Sequence, residues 1–131
     1  LNMPAIWALK NAIDYTMDNF DYYKVYETKL TNYLVDRLKE IDDIAIYDLE
    51  HNRVSTVGFN IKGYSSNEIV QTLDKKGICT RGGIHCAILT HEALNTTDIG
   101  VVRVSLCEKN TVEEIDVLIE TLKEIGEEGC L

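Results

Sequence analysis

A chain of 131 residues with 45% hydrophobic and 27% charged side chains has the size and balance of one globular domain able to bury a core without disulfides or a metal, which excludes disordered and fibrous classes. Its 22 acidic residues against 13 basic ones leave a net charge of -9, which argues against a nucleic-acid groove or an anionic membrane surface as partner, since both demand clustered Lys and Arg. No stretch approaches the ~18 consecutive apolar residues of a membrane span, and the first residues lack the basic, apolar and small-residue order of a secretory signal, so a soluble, cytoplasmic protein is expected.

In chain order, Pro4 to Met17 places Ile6, Leu9, Ile13 and Met17 at helical spacing, with Asn2 as N-cap. A second helical pattern runs from about Asp21 to Ile41 through Val25, Leu30, Tyr33, Leu34 and Leu38, so two helices are expected to lead the domain. Because Leu1 already opens on helical pattern, the chain is expected to be a piece of a longer polypeptide. Ile44 to Tyr47 and Val54 to Ile61 (VSTVGFNI) have the β-branched composition of strands, joined by the charged span Asp48 to Arg53 as a hairpin loop.

After Gly63, Ser65 or Ser66 can cap a helix carrying Ile69, Val70 and Leu73, which Lys75-Lys76-Gly77 ends with positive charge and a glycine at C′. Ile78 to Arg81 reads as a brief strand, Gly82-Gly83 as a flexible break and Val101 to Leu106 as a further strand. Asn110 or Thr111 caps a last helix to about Ile125, Thr111 and Glu114 being spaced as a capping box, and Gly126 to Leu131 is expected to fray. The sum is an α+β fold: a two-layer sandwich of a small, mainly antiparallel sheet of about four strands with helices packed on it. No repeat, low-complexity tract or linker divides it.

The four cysteines, Cys79, Cys86, Cys107 and Cys130, show no C-x-x-C spacing, and His51, His85 and His91 supply no zinc signature, so no metal site is expected. Chemistry concentrates in Arg81-Gly82-Gly83-Ile84-His85-Cys86-Ala87, where a strand gives way to a glycine-permitted turn. A cysteine beside His85 and near Arg81 can have its thiol acidified by positive charge and serve as a nucleophile, although from composition alone the small buried hydrophobe is the favoured reading. Cys79 and Cys107 sit in apolar strand patterns and Cys130 in the tail, where the inert reading is favoured. His91 and Glu92 read as surface groups of a loop or helix start.

Arg103 interrupts the apolar run Val101-Val102-Arg103-Val104-Ser105-Leu106. If it points inward it needs an anion, either a substrate carboxylate or an internal Asp or Glu; otherwise it faces water on the polar side of the sheet.

The order LNMPAI, VGFNI, GICTRGGIHCA and GVVRVSLCEKNTVEEID resembles the carboxy-terminal part of class V aminotransferase-fold enzymes, in their cysteine desulfurase-like branch, and the resemblance covers nearly the whole chain. It implies that residues 1–131 are the small domain of such an enzyme, as in fold-type I pyridoxal-phosphate proteins, with a larger cofactor-binding domain outside this chain. None of that domain's motifs, the Schiff-base lysine, the aspartate under the pyridine nitrogen or the histidine on the ring, has a match here. Pyridoxal 5′-phosphate is therefore expected in the full-length enzyme and not on this fragment, which is expected to be inactive alone.

By the same resemblance, Cys86 matches the cysteine whose thiolate takes the sulfur of cofactor-bound L-cysteine as a persulfide while alanine departs. Arg103 matches the arginine that pairs with the substrate carboxylate, and Arg81, Gly83 and His85 match the loop that supports the cysteine. Implied partners are L-cysteine or a similar small amino acid, the large domain, a sulfur-acceptor protein serving iron-sulfur cluster assembly or thiolated cofactors, and a second copy in a homodimer. The chain departs from the pattern at Ile88, where proline is common, at Asn95, where glycine is frequent, and at Cys107 to Lys109, where aromatic residues commonly precede Asn110-Thr111. Two other readings are a related pyridoxal-phosphate enzyme, such as a selenocysteine lyase or another lyase or aminotransferase, and a cofactor-free interaction module of the same fold.

Overall fold

The computed structural model describes residues 1–47 and 54–128, in the order α1 (Met3–Leu38), β1 (Ile44–Tyr47), β2 (Thr56–Ile61), α2 (Ser66–Lys75), α3 (Ile88–Leu94), β3 (Val102–Ser105) and α4 (Val112–Glu128). The expected hairpin loop at Asp48 to Arg53, Cys130 and the end of the tail lie outside the described residues.

The α+β expectation holds, with three named strands where about four were expected. β1, β2 and β3 form an antiparallel sheet in that order, with Ile44 opposite Ile61, Ile46 opposite Phe59 and Phe59 opposite Val102. The segment Ile78 to Arg81 contributes a single bridge, Arg81 to Arg103. Its start is committed elsewhere: Gly77 adopts φ 78°, its amide donates to the Asp74 carbonyl, and the Ile78 amide donates back to the Leu73 carbonyl at 2.9 Å. This Schellman closure of α2 holds Ile78 against the core, and the chain runs free until Arg81 reaches β3.

The two expected leading helices are one helix, α1, of 36 residues, about 54 Å long. The stretch Asp18-Asn19-Phe20-Asp21 contains neither proline nor glycine, and Asn19 bonds within the helix, its Nδ2 donating to the Tyr15 carbonyl at 2.7 Å. Only the second half of α1 is packed: Leu30, Leu34, Val35 and Leu38 are buried, whereas Ile6, Trp7, Leu9, Ile13, Met17 and Phe20 are exposed.

The core lies on one face of the sheet. Val57, Phe59 and Ile61 of β2 and Val102 and Val104 of β3 meet Leu34 and Leu38 of α1, Ile69 and Leu73 of α2, and Ile115, Ile119, Leu122 and Ile125 of α4. α1 is further joined to α4 where the Tyr33 hydroxyl donates to Asp116 at 2.6 Å, and to the segment before α4 where the Tyr26 hydroxyl donates to the Asn110 carbonyl at 2.8 Å. The opposite face carries Ala45, Tyr47, Thr56, Gly58, Asn60, Arg103 and Ser105, as strand alternation requires. The core side of the sheet therefore fixes the fold.

Phe59 is fully buried at the centre of this core. Phe59→Ala is expected to cost about 3–5 kcal/mol and exposed Thr56→Ala less than about 0.5 kcal/mol, read as shifts of the urea unfolding midpoint.

Candidate functional site around Cys86

The site begins at the start of α2. Ser65 is the N-cap, its hydroxyl accepting from the Glu68 amide while the Glu68 carboxylate accepts from the Ser65 amide at 2.8 Å. These bonds from Ser65 hold the Glu68 carboxyl below the usual carboxylate range. With the cap supplied by Ser65, the fully buried Ser66 is free to look outward from the helix. Its Oγ accepts from the Gly83 amide at 3.0 Å, and its own amide donates to the Ile99 carbonyl at 2.8 Å.

Gly83 has φ 110°, a conformation open to glycine, and its carbonyl accepts from the Val101 amide at 3.1 Å. A side chain at Gly100 would press on Ser66 Oγ and lie 2.8 Å from Gly83 Cα. The Gly82-Gly83 pair is thus pinned between α2 and the entry to β3, which corrects the expectation of a flexible break: the glycines serve close approach.

From that anchor the chain turns. The Ala87 amide donates to the Ile84 carbonyl at 3.0 Å, and His85 (φ 53°) and Cys86 (φ 60°) both take the left-handed conformation, the φ pattern of a type I′ turn. For residues with a Cβ this costs about 1–2 kcal/mol each. Cys86 is exposed at the turn, so the buried-hydrophobe reading of it fails. Cys79 and Cys107 are also exposed, contrary to their expected places in apolar strands: Cys79 lies in the segment that does not join the sheet, and Cys107 follows the end of β3.

His85 is half-buried, and its Nε2 lies 3.0 Å from the Val101 carbonyl. A carbonyl only accepts, so Nε2 carries the proton, and Nδ1 is buried without a partner. Burial pushes the His85 pKa below its ordinary value, opposed by the Val101 bond and reinforced by the positive charges of Arg103 and Arg81. His85 is therefore the neutral neighbour of Cys86. His91, expected at the surface, is buried: its Nδ1 meets Thr96 Oγ1 at 2.8 Å, and its ring lies 6.2 Å from that of His85. Glu92 is exposed as expected.

Arg81 and Arg103 are directly opposed across the bridge, with backbone bonds of 3.1 and 2.7 Å. Arg103 is half-buried and Arg81 exposed. Among the described residues neither guanidinium has a carboxylate partner. Like charges at opposed positions repel, so the pair is complementary to an anion. Asn60, a polar residue in the otherwise apolar VGFNI strand, is 3% exposed; its Nδ2 donates to the Gly100 carbonyl at 2.7 Å, leaving Oδ1 buried and unpartnered. Sequence reading missed Ser66 and Asn60; the signals were a second serine after the cap and an amide inside an apolar strand.

Two departures from the family pattern are conformationally conservative. Asn95 caps α3 at φ 54° and ψ 42°, the left-handed position that asparagine tolerates next best after glycine. Ile88 is the first residue of α3, where proline is favoured but not required. No group of residues suited to a metal occurs among the described residues, and no described helix is long and apolar enough to cross a membrane.

Because the folded loop favours neutral His85, its pKa there lies below that of the opened chain, about 6.5. The stability that neutral His85 contributes is complete above that value and is lost as pH falls toward the folded pKa. The stability of wild type relative to His85→Gln, compared by urea unfolding, is expected to be constant above about pH 7.5 and to fall steadily below about pH 6.5.

A model of the class-V aminotransferases matches residues 1–118. A probable cysteine desulfurase of Methanothermobacter thermautotrophicus is 37% identical over 134 residues, covering 98% of this chain and 33% of the relative. One of Synechocystis is 32% identical over 120 residues, covering 88% of this chain and 28% of the relative. The apo cysteine desulfurase of Thermococcus onnurineus superposes with a TM-score of 0.82 at 24% identity, over 88% of this chain and 29% of that one. A NifS-like protein of Rickettsia africae superposes with a TM-score of 0.73 at 26% identity, over 84% and 31% respectively. The chain thus spans about one third of the length of these relatives, and the match over 118 of its 131 residues makes it a member of the class-V aminotransferase family.

Proposed function

We propose that this chain is the carboxy-terminal small domain of a cysteine desulfurase, in which Cys86 accepts sulfur from L-cysteine and Arg103 binds the substrate carboxylate. The observation that carries this reading is an exposed Cys86 at a left-handed turn beside His85, which feels the charges of Arg81 and Arg103, two opposed guanidiniums without a carboxylate partner among the described residues. Relatives named as probable cysteine desulfurases support the same choice.

The residues here fit the substrate side of a pyridoxal-phosphate site: the arginine pair complements a carboxylate, and Asn60 Oδ1 and His85 Nδ1 are acceptors without donors among the described residues. The cofactor is assigned to the rest of the polypeptide, where it supplies the electron sink for cleavage of the substrate's carbon-sulfur bond. Arg103 orients the amino acid through its carboxylate. The Cys86 thiolate then forms a sulfur-sulfur bond to the substrate sulfur as the carbon-sulfur bond breaks; the electron pair stays with the carbon skeleton, which takes up a proton and leaves as alanine. Cys86 is left as a persulfide at an exposed turn, accessible to an acceptor protein.

The unpacked first half of α1, with Trp7, Ile13 and Phe20 exposed, is assigned to contact with the remaining two thirds of the enzyme. The same reading takes the whole enzyme to be a cytoplasmic homodimer, as the family resemblance implies.

In full-length enzyme given L-cysteine and a reductant, Cys86→Ala is expected to reduce alanine and sulfide release to the level of a no-enzyme control. Arg103→Ala is expected to raise the KM for cysteine by roughly 10- to 100-fold, as loss of a charge-assisted hydrogen bond implies. Alanine release unchanged by Cys86→Ala would reassign the chain to a related lyase in which Cys86 is incidental.

A further inference from the structure

We propose that His85 is a positioning residue whose Nε2–H bond to the Val101 carbonyl latches the left-handed His85-Cys86 turn and so fixes where the Cys86 thiol is presented. The functional consequence rests on Cys86 being the sulfur acceptor; the latch itself does not.

The turn is locally unfavourable. Type I′ turns take glycine, asparagine or aspartate at their two central positions, and here those positions are His85 at φ 53° and Cys86 at φ 60°. The imidazole adds a second cost, because Nδ1 is buried without a partner. Against these stand the backbone bond from Ala87 to Ile84 and the bond from His85 to Val101, 16 residues away at 3.0 Å. The Cys86 side chain makes no bond of its own among the described residues and cannot hold the turn.

Val101 is a firm anchor for such a latch. Its amide donates to the Gly83 carbonyl, its side chain is buried against Gly58, and the preceding Gly100 carbonyl accepts from Asn60. The bond therefore ties the turn to the edge of the sheet that carries Arg103, two residues further on, so that sulfur acceptor and carboxylate-binding residue share one frame.

Substitutions at position 85 separate a latch from a mere backbone requirement. Asparagine and glycine suit the left-handed backbone better than histidine, but neither reaches Val101; glutamine suits it no better, but carries an amide donor at comparable reach. In the full-length holoenzyme, His85→Asn and His85→Gly are expected to speed deuterium uptake in the peptide spanning residues 82–88. They should also lower kcat about tenfold, the weight of one ordinary hydrogen bond, with KM for cysteine unchanged. His85→Gln should stay near wild type in both. Wild-type uptake in the asparagine and glycine variants would overturn the latch whatever the activity. Faster uptake in those two variants of an enzyme that does not turn over cysteine would support the latch and count against the reading of Cys86.

Discussion

The peptide of Gly83 is the knot on which the site depends. Its amide is held by the Ser66 hydroxyl at the start of α2, and its carbonyl holds the Val101 amide at the entry to β3. Three segments far apart in sequence are joined there without a side chain in the way, and Gly100 packs against the same point with no room for a Cβ. Everything that follows in the chain, the turn at His85-Cys86 and the short helix α3, hangs from that anchor. Cys86 is thus mounted on the rigid start of a capped helix and the edge of a sheet, which is how a loop comes to hold a side chain in one place.

The sheet divides the work of the molecule between its faces. One face is buried by α1, α2 and α4 and supplies the stability that tolerates a strained turn elsewhere. The other presents two opposed arginines with no carboxylate partner among the described residues, beside a histidine that burial keeps neutral. An uncompensated positive pair is unfavourable in the free domain and favourable once an anion arrives. The same electrostatics lower the pKa of His85, so a carboxylate bound at the arginines would relieve that pressure in turn.

Elements with local punctuation were legible in the sequence. The start of α2 was legible to within one residue in Ser65-Ser66 and its end in Lys75-Lys76-Gly77, and the start of α4 in Thr111 and Glu114, because caps are interactions among residues three or four apart. The continuity of α1 was not legible, since Asp18 to Asp21 lowers helix propensity without breaking a helix. The failure of Ile78 to Arg81 to form a full strand depended on how far the Schellman closure of α2 carries Ile78 toward the core. The burial of His91 depended on Thr96 folding back onto it. Within the site, Cys86 and Arg103 stood out as residue types at odds with their surroundings. Their shared frame did not, because it is built by the Arg81–Arg103 bridge and by Ser66, contacts between segments about 20 residues apart.

The central claim is that Cys86 is where substrate sulfur comes to rest. The most direct measurement is mass spectrometry of the Cys86 peptide from full-length holoenzyme exposed to L-cysteine without reductant, then alkylated and digested. The account predicts one additional sulfur atom on Cys86, removed by dithiothreitol, with Cys79 and Cys107 unchanged. A Cys86 that stays unmodified while the enzyme releases alanine would contradict it.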